Sequence, residues 1–81
     1  MRAVLLNAPY DVTVTELPDP AIKAPTDAII RVTAACVCGS DLWDYRGINP
    51  AHGPHQNGHE YCGIVTEVGP AVTTIRPGQF V

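Results

Sequence analysis

Apolar and polar residues alternate with a period of two along Asp11-Val12-Thr13-Val14-Thr15-Glu16-Leu17. That pattern predicts a strand with one face buried and one face wet. Upstream, Ala3 to Leu6 is apolar and runs into the polar turn Asn7-Ala8-Pro9, which predicts a first strand. Pro18, Pro20 and Pro25 punctuate a loop, because proline removes a donor and resists regular pairing. The β-branched run from Asp27 to Val37 predicts a longer, central strand. A short helical turn is predicted over Ser40 to Arg46, with Ser40 or Asp41 as its N-cap and Gly47 ending it. Residues 47–58 are rich in glycine, proline and amide side chains and predict a loop. Glu60 to Val68 predicts a strand in which Gly63 marks a bulge or a close backbone approach. Gly69-Pro70 and Pro77-Gly78 are turns, Val72 to Ile75 is a short apolar piece, and Gln79-Phe80-Val81 begins another strand. Short strands joined by proline and glycine turns point to a mainly β barrel or sandwich. The chain stops as a strand begins and so reads as truncated.

Composition narrows the choice of partner more than the fold. The 81 residues suffice for one small domain with a modest core. A net charge of −3 and the lack of a basic stripe exclude nucleic acid as the expected partner. No apolar run approaches the roughly 20 residues that span a bilayer. The start, Met1 to Asn7, turns polar too soon for a signal peptide. Three cysteines are an odd number, so free thiols in the cytoplasm are expected rather than a disulfide framework.

The candidate chemistry lies in two stretches, Cys38-Gly39-Ser40-Asp41 and Gly58-His59-Glu60. Thiolate and neutral imidazole bind zinc at about 2.3 Å and about 2.0–2.1 Å. Cys38 and His59 with the Glu60 carboxylate make an incomplete metal site of the catalytic type. Cys38 alone would be read as a buried structural thiol. It sits, however, at a strand end that opens into a helix N-terminus, where backbone N–H groups favour thiolate. His59 and Glu60 are expected on opposite sides of the chain, one binding directly and the other approaching from behind. Asp41 is placed to accept the second ring N–H of His59. Cys36 and Cys62 are read as core. His52 and His55 are read as bordering a pocket, in preference to an all-imidazole site with His59, because their loop is a poor rigid support.

These residues carry a family resemblance. Cys38-Gly39-Ser40-Asp41, Tyr45-Arg46-Gly47, Gly58-His59-Glu60-Tyr61-Cys62-Gly63-Ile64-Val65, Glu67-Val68-Gly69 and Arg76-Pro77-Gly78 resemble the zinc-dependent alcohol dehydrogenases of the medium-chain dehydrogenase/reductase superfamily. Met1 to Leu6 and Pro25 to Val37 fit as well, so the resemblance covers essentially the whole chain. It implies a GroES-like, partly open β-barrel, the N-terminal part of a catalytic domain spanning residues 1–81. It implies Cys38 and His59 as zinc ligands, with Glu60 able to enter the coordination sphere. Asp41 would support His59, and Ser40 would take the proton from the substrate alcohol. The implied cofactors are zinc and NAD or NADP; the implied substrates are small alcohols or their aldehydes and ketones, handled by a homo-oligomer.

Two departures qualify the resemblance. The family often has a histidine two positions after the aspartate, where this chain has Trp43. The third zinc ligand and the glycine-rich cofactor loop of the Rossmann domain are absent, so the 81 residues alone are expected to be inactive. A zinc-free quinone-type reductase needs none of Cys38, His59 and Glu60. A stand-alone GroES-like binding or assembly module without catalysis is the alternative from another class.

Overall fold

The computed structural model describes residues 1–48 and 53–81. Its elements are β1 (Arg2–Ala8), β2 (Asp11–Glu16), β3 (Ala28–Cys36), α1 (Asp41–Tyr45), β4 (His55–Gln56) and β5 (Glu60–Val68). The chain divides into two compact units, Met1–Pro18 with Cys36–Glu60, and Asp19–Ala35 with Tyr61–Val81. Each is built on one open sheet.

The first unit holds the sheet β2-β1-β4. β1 and β2 form an antiparallel hairpin from Arg2↔Glu16 to Ala8↔Asp11, with an irregularity between Leu6 and Ala8. Strand β1 runs on through the expected Asn7-Ala8 turn, and Tyr10 makes the bend with φ 64°. Asn7, at that irregularity, donates from Nδ2 to Thr13 Oγ1 at 3.0 Å, a cross-strand side-chain contact. The far edge of β1 pairs with β4 through Leu5↔Gln56 and Leu6↔His55. A two-residue strand therefore stands where the glycine and proline content predicts only loop. Paired on both edges, β1 carries Leu6 at 3% exposure. The alternation in β2 buries less than expected: Val14 remains 66% exposed. Period-two patterning identifies the strand, but burial also needs something stacked on the apolar face.

Helix α1 is held to the tip of this hairpin. The Tyr10 N–H donates to the Tyr45 carbonyl at 2.8 Å, and the two rings meet edge to face at 5.1 Å. Gly47 ends the helix at φ 73°, against Pro9: an added Cβ would sit 2.8 Å from Pro9 Cγ.

In the second unit β3 pairs with β5 alone. The expected central strand thus has one neighbour among the described residues, and Val32 is 53% exposed. Its β-branched residues specify a strand, but its neighbours decide whether it is central. Thr33 Oγ1 donates to the Cys62 carbonyl at 3.3 Å, and Thr66 Oγ1 donates to the Ile29 carbonyl at 3.2 Å. Cys62, expected in the core, is half-buried. Val65 is the buried anchor at 1% exposure. The expected start of a strand at Gln79–Val81 is realised as an antiparallel bridge, Ile64↔Phe80, flanked by the Gly63–Val81 backbone pair at 3.0 and 2.9 Å.

Gly63 is the close backbone approach that its place in a strand predicts. A Cβ there would overlap the Arg31 carbonyl oxygen and lie 2.7 Å from Ile30 Cγ2. Overpacking against fixed backbone costs about 1–3 kcal/mol or more. Gly39, by contrast, has open space where a Cβ would go. In urea unfolding, Gly63→Ala is expected to lose at least about 2 kcal/mol, and Gly39→Ala to stay within about 0.5 kcal/mol of the parent. Equal midpoints for the two variants would refute the packing assigned to Gly63.

Candidate metal centre

The site is built at the turn between β3 and α1. Cys38 to Asp41 closes on itself twice. The Asp41 N–H donates to the Cys38 carbonyl at 3.0 Å, and the Cys38 N–H donates to Asp41 Oδ2 at 2.9 Å. The aspartate thereby stitches the turn that presents the Cys38 thiol. Asp41 is buried, at 7% exposure, and its second oxygen reaches the other stretch. Oδ1 lies 3.2 Å from His59 Nδ1. A hydrogen held on Nδ1 by that carboxylate leaves the Nε2 lone pair free to face the thiol, which is how a ligand imidazole is oriented.

Ser40 occupies the N-cap of α1, yet its side chain makes no capping hydrogen bond. Its hydroxyl instead donates to Cys38 Sγ at 3.3 Å and lies 3.3 Å from His59 Nε2. Of the two roles open to Ser40 in the sequence, the cap is not the one its geometry serves. Asp41 is the first residue of the helix rather than its cap.

One donor atom each from Cys38, His59 and Glu60 lies within 4.8 Å of the others. In a tetrahedral zinc site, neighbouring ligand atoms stand ~3.4–3.8 Å apart, given bonds of ~2.0–2.3 Å. A small contraction would therefore bring this thiolate, imidazole and carboxylate onto one ion, and the donor set suits zinc. The sequence placed His59 and Glu60 on opposite sides of the chain. The structure instead gathers their donor atoms, because β5 begins only at Glu60 and His59 follows Gly58 at φ 117°. Strict strand alternation does not extend across that junction.

Cys36 is the residue that sequence reasoning misplaced. It is exposed rather than packed in a core, and its thiol donates to Glu60 Oε2 at 2.9 Å. The available signal was its spacing, two residues before Cys38, although β3 ends at Cys36 and strand alternation does not run on to Cys38. His55 is half-buried in β4 with Nδ1 3.0 Å from the Gly53 carbonyl oxygen, and it is not among the three gathered donors. The expectation for His52 falls outside the described residues.

The electrostatics distinguish the two neighbouring thiols. The Ser40 hydroxyl and backbone N–H, followed by His59, hold the Cys38 thiol below its ordinary range. The hydrogen bond to the Glu60 carboxylate raises the Cys36 thiol above its own. Cys38 and then the Asp41 charge raise His59. Without metal, thiolate and imidazolium favour each other, and acid protonates the thiolate while base discharges the imidazolium.

Known proteins share this sequence pattern and fold. Residues 24–81 match the alcohol dehydrogenase GroES-like domain family. The chain belongs to that family. Along its full length it is 46% identical over 81 residues to zinc-type alcohol dehydrogenase B of Aspergillus flavus, of which it covers 19%. It superposes on an alcohol dehydrogenase from Thermus sp. ATN1 with a TM-score of 0.92 and 39% identity, over 99% of this chain and 23% of that one. A putative zinc-binding dehydrogenase from Sinorhizobium meliloti, solved bound to NADP, gives a TM-score of 0.79 and 37% identity over 98% of this chain and 23% of its own. The fold is thus GroES-like, and the chain corresponds to the N-terminal part of zinc-type, medium-chain alcohol dehydrogenases. It spans about a fifth of the length of these relatives.

Reactivity in the metal-free chain should follow charge rather than exposure. Cys36 is the more exposed thiol, but Cys38 gives up its proton more readily, and the thiolate is the nucleophile. Iodoacetamide at neutral pH, with peptide mapping, is expected to label Cys38 before Cys36. The Cys38 rate should persist to lower pH than that of an ordinary thiol, because its proton leaves earlier. Ser40→Ala should slow it. Preferential labelling of Cys36 would contradict the assigned electrostatics.

Proposed function

We propose that this chain forms the GroES-like part of the catalytic domain of a zinc-dependent, NAD- or NADP-linked dehydrogenase acting on small alcohols or polyols. The observation that carries the reading is the convergence of Cys38, His59 and Glu60 donor atoms within 4.8 Å, with the Ser40 hydroxyl 3.3 Å from both Cys38 Sγ and His59 Nε2. Cys38 and His59 hold the zinc, and Glu60 is the carboxylate within reach of it. When bound, zinc would supply the Lewis acidity that makes an alcohol hydroxyl acidic, and a nicotinamide would supply the hydride acceptor. A catalytic zinc takes three protein ligands and keeps an open position. A further ligand and most of the nicotinamide contacts come from chain beyond these residues, as the NADP-bound relative's greater length suggests.

The chain's own groups set up that chemistry. Asp41 fixes the His59 tautomer so that Nε2 is free for the metal. Ser40 receives the substrate proton, since a hydroxyl accepts one hydrogen bond while donating another and so relays without holding charge. Trp43, two residues after Asp41, is 54% exposed, and its indole N–H can donate but not accept. The proton therefore leaves Ser40 by water, and the Trp43 ring restricts substrate bulk beside the helix. A quinone-type reductase would leave the gathered thiol, imidazole and carboxylate without a task. Cytoplasmic location and homo-oligomeric assembly complete the proposal; among the described residues no helix is long and apolar enough to cross a membrane.

Two substitutions in the full-length protein test it. Cys38→Ser is expected to abolish turnover and lose zinc on dialysis, measured by metal analysis. Ser40→Ala is expected to retain zinc and lower kcat by roughly 10²–10⁴-fold, the range for lost acid–base catalysis, with Ser40→Thr tolerated. Unchanged zinc content in Cys38→Ser would overturn the metal centre. Near-normal turnover in Ser40→Ala would overturn the relay alone.

A further inference from the structure

We infer that Cys36 is a positioning residue for the metal centre: its thiol hydrogen bond holds the Glu60 carboxylate within reach of the ion that Cys38 and His59 bind. The inference rests on the metal-centre reading above and adds a residue to it.

Glu60 is exposed and opens β5. A free glutamate side chain there samples many rotamers, and fixing it costs conformational entropy. Its carboxylate nonetheless stands in the group of three donors. The contact that restrains it is local and specific: Cys36 Sγ donates to Oε2 at 2.9 Å. Cys36 ends β3 and Glu60 begins β5, so the bond joins the terminal residues of two strands at the mouth of the site. The identity of the donor matters. A lysine or arginine at this position would neutralise the carboxylate and compete with a cation for it. A thiol is a neutral, weak donor, which restrains one oxygen while leaving the negative charge and the other oxygen available. Groups that orient a ligand from outside the coordination sphere typically contribute 10- to 100-fold to metal affinity.

The test is a double-substitution cycle on zinc affinity in the full-length protein, measured by competition with a chromophoric chelator, with Cys38→Ala as the reference for loss of a ligand. Cys36→Ala is expected to weaken zinc binding about tenfold, the lower end of that range because the contact is exposed. Cys36→Ser, which keeps a donor, is expected to restore most of the affinity. In a Glu60→Ala background, Cys36→Ala should have no further effect. A cobalt-substituted sample separates positioning from ligation: the thiolate-to-cobalt charge-transfer band should keep its intensity in Cys36→Ala and vanish in Cys38→Ala. Unchanged zinc affinity in Cys36→Ala, an equal loss with and without Glu60, failure of Cys36→Ser to rescue, or a diminished cobalt band in Cys36→Ala would each overturn the inference while leaving the metal centre standing. Zinc affinity unaffected by Cys38→Ala would overturn both.

Discussion

One carboxylate joins the two halves of the site. Asp41 accepts the Cys38 N–H with one oxygen and faces His59 Nδ1 with the other. The first contact shapes the turn that presents the thiol; the second aims the imidazole. Two sequence stretches separated by a long connection are thus registered against a single buried side chain. A buried carboxylate is costly unless its lone pairs are used, and here both oxygens have partners. The same contacts that make Asp41 tolerable in a buried position give the cluster its geometry.

The surrounding fold supplies the backbone positions for this arrangement. α1 starts directly after the Cys38 turn, so the orientation of the helix and that of the thiol are linked. Its end is held at the hairpin tip by Tyr10 on Tyr45 and by Gly47 on Pro9. These contacts involve no charge and little burial. They work by shape: a left-handed bend at Tyr10 offers its N–H to the Tyr45 carbonyl, and a glycine admits the proline ring. The site itself adds short polar contacts on top of that frame, five of them involving a group of the Cys38–Asp41 turn and one joining Cys36 to Glu60.

Much of this was legible in the sequence, and the misses share a cause. Strand identity follows from local alternation and β-branching, and β5 was predicted to its observed limits, Glu60–Val68. Gly63 was readable because a glycine inside an apolar strand has few other reasons to be there. Burial was not readable: Val14 and Val32 carry the pattern of inward-facing residues but are exposed, since burial depends on what lies across from them. In the site, Asp41 as the support of His59 followed from the chemistry expected of a ligand histidine. Cys36 was misread because composition statistics assign a lone apolar thiol to a core, and only the approach of β5 reveals the carboxylate that claims it. Ser40 stands at the N-cap as its place before the helix implies, but its hydroxyl is diverted from capping by a thiol two residues back.

The contact between Asp41 and His59 has a consequence for how such a chain can vary. The segment between them carries α1 and β4, and its ends are fastened to each other by their own side chains. Closing a flexible loop costs an entropy that grows only with the logarithm of its length, about 0.6 kcal/mol for each doubling. A change in the number of residues joining α1 to β4 therefore alters the closure cost little. The thiol, imidazole and carboxylate are insulated from the length of the chain that connects them. That separates two kinds of inheritance: the fastening must be copied faithfully, while the length of the connection is free to be rewritten.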